Sequence, residues 1–443
     1  MLYFFRRLII LCLLFILPSC QSGSSQPVWT VLVYMAGDNN LSNAANIDLL
    51  EMMTVGSDSN IRVVVQFDSS SNCAAEAVNS SGCVWRLSIE QGRAELIESL
   101  GERNMADPQT LTDFLVWAAD RYPSHRRALI LWSHGNGYQK PKVGAVPARP
   151  LPARQAGAGG RESPLRTYSI LQDDTDGMPC CLSNAIVRQA IEATGMHFDL
   201  LGFDASQMGQ IETAYEFRNV ADLLVFSQET GQENGWDYAA ILNELRQRPG
   251  TAAEALAETI VQSYRDFYEQ SFYPFNPSFE QYLTISAVRL GEDIEPLTSS
   301  VDDLAKSLTA AIQDPSTRDA TVAAVGSAAA AAQGMDLLTS PYVYLDLFDL
   351  VDKLSEQPGL NRSTHNAIAD LKALKDGVVI AEYHGIARPG ASGLSIVFFK
   401  LPEAVNFNIY DPDYVSGARN LGFLNDTAWN EFLSAYYTAA GLL

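Results

Sequence analysis

Two short motifs in this 443-residue chain combine residue types that do chemistry. Residues 127–133 (RALILWS) form an apolar run that stops at His134-Gly135, and residues 199–203 (DLLGF) form a second that stops at Asp204-Ala205-Ser206. Read as strands of an open parallel sheet, both runs deliver their last residues to the crevice beyond the strand ends, where ligands and reactions sit. An imidazole titrates near neutrality and suits general base work. A hydroxyl on the neighbouring strand end completes the layout of a nucleophilic hydrolase. Residues two apart on an extended strand point the same way, so Asp204 and Ser206 can share the crevice. A carboxylate pairs with a guanidinium through two parallel hydrogen bonds, which makes Asp204 a reader of arginine. Gly135 lets a backbone N–H come close to a developing oxyanion. The same residues have plainer uses: His134 as a hydrogen-bonded structural residue, and Asp204 or Ser206 as the cap of a helix starting near residue 210.

The elements that must hold these groups follow from hydrophobic period. Residues 28–35 (VWTVLVYM) and 61–68 (IRVVVQFD) predict buried strands, and 221–227 predicts another. Residues 41–54 have helical spacing, with Asn40 or Ser42 as the cap, and 110–120, 182–194 and 210–217 predict further helices. Residues 83–89 read as a hairpin arm. Strands alternating with helices predict an α/β fold, a largely parallel sheet covered by helices. Beyond residue 238 the expected elements are helices over 252–269, over 294–333 with a break near Asp314-Pro315, over 365–374 and over 427–440, with strands at 282–290, 378–383 and 393–399. The expected organisation is a first domain over 28–250 and a mixed helical and strand region over 251–443 packed on it.

The chain has 52 acidic against 30 basic residues and a formal charge of −22. That surface argues against nucleic acid and anionic membrane partners and favours basic peptides or proteins. Arg6 and Arg7 precede an apolar run over 8–17 that is short for a bilayer span. The run ends in Leu17-Pro18-Ser19-Cys20, which resembles a bacterial lipobox and implies a signal over 1–19, lipidation of Cys20 and a polar tether to residue 27. The protein is then expected in the cell envelope, held by a lipid anchor in a bacterial membrane. Gln21 after the cysteine resembles the pattern of the outer membrane or cell surface. Cys73 and Cys83 flank a turn-rich stretch and are expected to form a disulfide in an oxidising compartment. Cys180 and Cys181 are adjacent, so they make a strained bridge or stay as thiols.

Residues 139–166 are rich in Gly, Ala and Pro and carry six basic residues against Glu162 alone. They read either as a linker or as a segment to be cut after a basic residue. Trp236 reads as a pocket wall or as packing, and Glu229 and Glu233 as crevice acidity or as solvated groups. Asp173 and Asp174 read as loop-orienting, cation-binding or exposed. His125, His197, His365 and His384 lack metal-ligand spacing, and no metal or other cofactor is expected from the pattern.

Taken together, residues 29–41 (WTVLVYMAGDNNL), 129–137 (LILWSHGNG), 171–177 (LQDDTDG), 201–215 (LGFDASQMGQIETAY), 221–238 (ADLLVFSQETGQENGWDY), 393–399 and 429–436 resemble the clostripain family of cysteine peptidases, whose fold is similar to that of caspases and gingipains. The resemblance implies a catalytic dyad of His134 with the residue at 206, where the family has cysteine and this chain has Ser206. It implies that Asp204 lies at the base of a primary pocket for Arg or Lys. It also implies that some relatives are cut between the two dyad residues, and that calcium supports activity in some of them, with no calcium loop identifiable here. Where many relatives have Asp before His-Gly, this chain has Ser133. A thiol is readily made a thiolate by a nearby imidazolium, whereas a serine hydroxyl needs a base in direct contact, oriented by a third group. The expected function is an exported, lipid-anchored homologue of these peptidases that binds Arg- or Lys-containing peptides with weak or no proteolysis. The alternative is a surface adhesion or assembly lipoprotein with a vestigial site.

Overall fold

A computed structural model describes residues 26–69, 83–138, 170–173, 181–270, 281–335, 343–401, 403–406 and 410–443. The expectations for the signal over 1–19, for Cys20, Cys73 and Cys180, for Asp174 and for the insertion over 139–166 fall outside the described residues.

The chain order of strands is β1 (Trp29–Gly37), β2 (Ile61–Ser69), β3 (Cys83–Glu90), β4 (Arg93–Gly101), β5 (Arg126–Trp132), β6 (Leu200–Asp204), β7 (Leu223–Phe226), β8 (Thr284–Arg289), β9 (Gly334–Met335), β10 (Tyr344–Asp346), β11 (Val379–His384) and β12 (Ser395–Val397). Nine of them make one sheet in the order β11-β8-β7-β6-β5-β1-β2-β3-β4. The central strands β7, β6, β5, β1 and β2 run parallel. Antiparallel pairs flank them at both edges. A separate antiparallel sheet of β12, β10 and β9 belongs to the C-terminal region. The fold is thus the expected α/β one, a largely parallel sheet flanked by helices.

Alternation along β1 explains why the sheet is covered twice. Val31, Val33 and Met35 join a core with α1 (Ser42–Val55), α5 (Tyr238–Gln247) and α6 (Ala253–Gln270). Leu32, Tyr34 and Ala36 face the opposite core, built with α2 (Pro108–Arg121), α3 (Asn184–Glu192), α4 (Ile211–Phe217) and α7 (Ile294–Gln313). With both faces buried, near-continuous apolar runs are what most central strands must supply, and β2 departs from this with Gln66 and Asp68 buried on one of its faces.

The structure departs from the sequence reading in several places, among them the unanticipated strands Gly334–Met335 and Tyr344–Asp346 and the helix Leu347–Ser355. The edge strand β4 has an exposed, charge-studded pattern that hides its strand character, and such charges protect an unpaired edge. Helix α5 was not anticipated; its cap is Asp237, which accepts from the Ala240 N–H. Helix α1 starts at Ser42 with no side-chain cap, because Asn39 Oδ1 takes the Leu41 N–H while Asn40 is used elsewhere. The expected boundary at 250 does not divide the sheet, since β8 and β11 from beyond it complete one edge. Cys83 is disulfide-bonded at the first residue of β3. No helix among the described residues is long and apolar enough to cross a membrane.

Candidate active site

Three loops converge at the carboxyl ends of β1, β5 and β6, and a fourth follows β7. Strands β5 and β6 are paired in register up to Trp132 and Asp204, so His134 and Ser206 each sit two residues past the end of adjacent strands. The two loops touch. A Cβ on Gly135 would lie 2.5 Å from the Ser206 carbonyl oxygen and 2.9 Å from Ala205 Cβ. No other residue permits that approach.

His134 is half-buried, and its Nε2 lies 2.7 Å from Asn40 Oδ1 in the loop after β1. A carboxamide oxygen only accepts, so Nε2 carries the proton in this pairing. Ser133 does not touch the ring's role; its Oγ donates to the Ala36 carbonyl and accepts from the Gln172 N–H, tying β1, β5 and residues 170–173 together. Asp173 is buried and accepts from the Met105 N–H, a loop-orienting role rather than an exposed one.

Ser206 Oγ accepts from the Gly231 N–H at 3.1 Å. The next residue, Gln207, is non-glycine at φ 58° and buried, with its N–H donated to the Glu229 carbonyl. A left-handed backbone at a residue with a Cβ costs energy, and such conformations collect at functional turns. Here the turn aims the residue at 206 out of the strand end.

Asp204 sits beneath, 9 % exposed. Its Oδ2 accepts from Tyr238 Oη at 2.9 Å and from the Trp236 N–H at 3.2 Å. Burial pushes its carboxyl up to about 7, against those hydrogen bonds, which favour the charged form. Two acids that sequence reasoning missed lie nearby on α1. Asp48 is fully buried and accepts from Trp132 Nε1 at 2.6 Å; burial, then the charge of Asp204, raises its pKa. Glu51 is raised to about 7 by burial and by Asp237. The available signal was an acid inside an apolar helical stripe, since Ala44, Ala45, Asp48, Met52 and Val55 share the buried face of α1.

Two expected binding residues sit differently from the reading. Trp236 is 3 % exposed, and its indole packs on Gly202 of β6 inside the core, so only its backbone N–H reaches Asp204. Glu229 has no exposed surface, and Arg388 engages it through Nε at 2.7 Å and Nη2 at 2.6 Å. Its charge is spent on that pair and supports the loop instead of facing the crevice. Glu233 is exposed.

Beside the site, Asp38, Asp68 and Glu102 each offer one carboxylate oxygen, all within 4.8 Å of one another. Carboxylate oxygens are the donors calcium takes, and these three would supply part of its six to eight ligands. The sequence reading identified no calcium loop, and these acids carry no loop pattern because they come from the ends of three different strands.

The raised acids set a pH dependence of stability. Asp204 and Glu51 titrate near 7 in the fold and near 4 when unfolded. A folded pKa above the unfolded one means the fold binds the proton more tightly. Their contribution to stability is then complete below about pH 4 and is lost as pH rises through about 7. The thermal midpoint of the ligand-free protein is expected to fall by a few degrees between pH 5 and pH 8, with a shallower fall in Asp204→Asn, measured by scanning calorimetry across that range.

The model of the clostripain family matches residues 33–148 and 157–436. Clostripain from Hathewaya histolytica is 26% identical over 249 residues, covering 51% of this chain and 43% of its own length, so the match spans less than half of that relative. A secreted C11 cysteine protease from Bacteroides thetaiotaomicron, solved in complex with an irreversible peptide inhibitor, superposes with a TM-score of 0.58 at 21% identity, over 94% of this chain and 99% of that one. An inactive zymogen C11 protease from Parabacteroides distasonis gives 0.58 at 20% identity, over 91% and 99%. At these identities the structures speak for the fold.

Proposed function

Because the chain belongs to the clostripain family, we propose that it is an exported peptidase homologue, anchored by lipid on Cys20, whose crevice takes Arg- or Lys-containing peptides and cuts them weakly or not at all. Ser206 stands at the nucleophile position, His134 at the base position, Gly135 at the oxyanion position and Asp204 at the floor of the primary pocket. The reading is supported by adjacent strand ends that carry His134 and Ser206, in backbone contact through Gly135.

Weak chemistry follows from the groups themselves. A serine hydroxyl needs a base held in direct contact, and it gains little from the electrostatics that make a thiolate. Asn40 holds the His134 ring through its carboxamide, which fixes orientation but stabilises an imidazolium less than a carboxylate would. Binding does not need the nucleophile. The observation that carries the binding function is Asp204, a buried acid two residues before Ser206 with no basic side chain paired to it among the described residues. A substrate cation is the partner its chemistry calls for.

The test is the affinity of a fluorescent arginine peptide, read by anisotropy. Binding is expected to stay within about twofold in Ser206→Ala and to weaken roughly 30-fold in Asp204→Asn, the worth of a charged hydrogen bond pair. Equal, weak binding by all three proteins would remove the peptide-binding function and leave the surface adhesion or assembly role.

A further inference from the structure

We propose that Asp48 is the second acid of the primary pocket, so that a paired-carboxylate floor made with Asp204 beneath Gly235 selects a cationic side chain, and arginine over lysine. This rests on the reading of Asp204 as the pocket floor.

Gly235 fixes the geometry. Its φ is 55°, and a Cβ there would lie 2.7 Å from Asp204 Oδ2 and 2.9 Å from Asp48 Oδ2. The two carboxylates therefore approach one point from two elements, α1 and the end of β6. Asp204 keeps an exposed edge, and both of its bonds fall on Oδ2. Asp48 has no exposed surface, and its Oδ1 has no hydrogen-bond partner among the described residues. A buried acceptor left unbonded costs free energy. An incoming N–H donor with positive charge would satisfy it.

The groups facing Asp48 are all acidic or neutral. Glu51 comes from its own helix and Asp204 from β6; Trp132 donates from β5, and Tyr238 and Tyr268 face it from α5 and α6. Asp237 faces Glu51. With no cation among these, two close carboxylates cannot both ionise cheaply, and the pair keeps a proton. An arriving guanidinium replaces that proton, which leaves to solvent. A planar fork of five N–H donors reaches two carboxylates at once, whereas an ammonium is a point charge that serves one best.

The experiment is calorimetric titration of the full chain with acetyl-Ala-Ala-Arg-amide, its lysine form and its neutral citrulline form. Each is run at pH 6.5 in two buffers of different ionisation heat. The wild type is expected to release a large part of one proton per arginine peptide bound. Asp48→Asn is expected to weaken arginine binding roughly 10- to 30-fold, narrow the arginine-to-lysine ratio, leave citrulline binding unchanged and suppress the proton release. Asparagine still accepts from Trp132 Nε1, so an unchanged or raised thermal midpoint checks the fold. The wild-type proton release decides the matter alone if that variant does not fold. Arginine binding that needs Asp204 but not Asp48, or that releases no proton, overturns the paired floor and leaves the pocket standing. Arginine bound no better than citrulline, with Asp204→Asn indistinguishable from wild type, overturns both.

Discussion

Ser206→Cys is expected to raise cleavage after arginine or lysine by roughly 10³-fold or more over the wild type, since on the proposed function it supplies a competent nucleophile, and that is worth at least so much. The argument is one of acidity and position. A cysteine thiol titrates at about 8.5 before any assistance, and an adjacent imidazolium brings the thiolate within reach of neutral pH. The position is already prepared. Gln207 turns the chain out of β6 in a left-handed conformation, the 227–231 loop reaches position 206 through the Gly231 N–H, and the His134 ring is held by Asn40. Sulfur is larger and a weaker acceptor than oxygen, so the Gly231 contact loosens and the thiol is freed toward the crevice. Turnover of an Arg-coupled reporter measures the gain, and His134→Ala in the Ser206→Cys background should remove it. The same sample, followed by mass spectrometry, reports any cut within residues 139–166. A Ser206→Cys protein that folds, binds basic peptides and still does not cut would sink the assignment of position 206 as the nucleophile's place.

The strand ends that carry His134, Asp204 and Ser206 were legible because they are written in local sequence. Apolar runs ending at His134 and Asp204 mark strand ends without any tertiary knowledge, and adjacent pairing of β5 and β6 follows the ordinary rule that consecutive strands neighbour each other. What could not be read is what arrives from far away. Asn40 looked like a helix cap, and its choice of His134 over the α1 backbone depends on two loops 94 residues apart. Asp48 sits in a helical stripe where a carboxylate looks like an error until Asp204 is placed opposite it. Glu229 reads as crevice acidity because its cation, Arg388, lies 159 residues downstream. Trp236 has the residue type of a pocket wall, and only the absence of a side chain on Gly202 shows that its ring turns inward. Strand β4 failed for a different reason: an edge strand protected by charge carries the pattern of a surface loop.

Arg388→Met is expected to cost about 3–5 kcal/mol of stability, the usual price of taking one partner from a buried ion pair. Glu229 has no exposed surface, and the Arg388 side chain keeps 4%. The guanidinium also lies over Tyr282, 4.6 Å from the ring centroid. Without it the carboxylate must either hold its charge in a low-dielectric site or take a proton. The consequence reaches the crevice through the backbone. The Glu229 carbonyl accepts from the Gln207 N–H and from Ser227 Oγ, and its own N–H donates to Thr284 Oγ1. These bonds hold the loop whose Gly231 N–H reaches Ser206, so a residue of the C-terminal region braces position 206 across the sheet edge. Denaturant unfolding should show the loss in Arg388→Met and recovery of most of it in Glu229→Gln/Arg388→Met, where no buried charge is stranded. In the Ser206→Cys background, Arg388→Met should also slow reporter cleavage under conditions where the protein is still folded, and the double variant should restore the fold more fully than the rate. The carboxamide replaces the charge, but it does not replace the rigid fork that fixes where the loop stands.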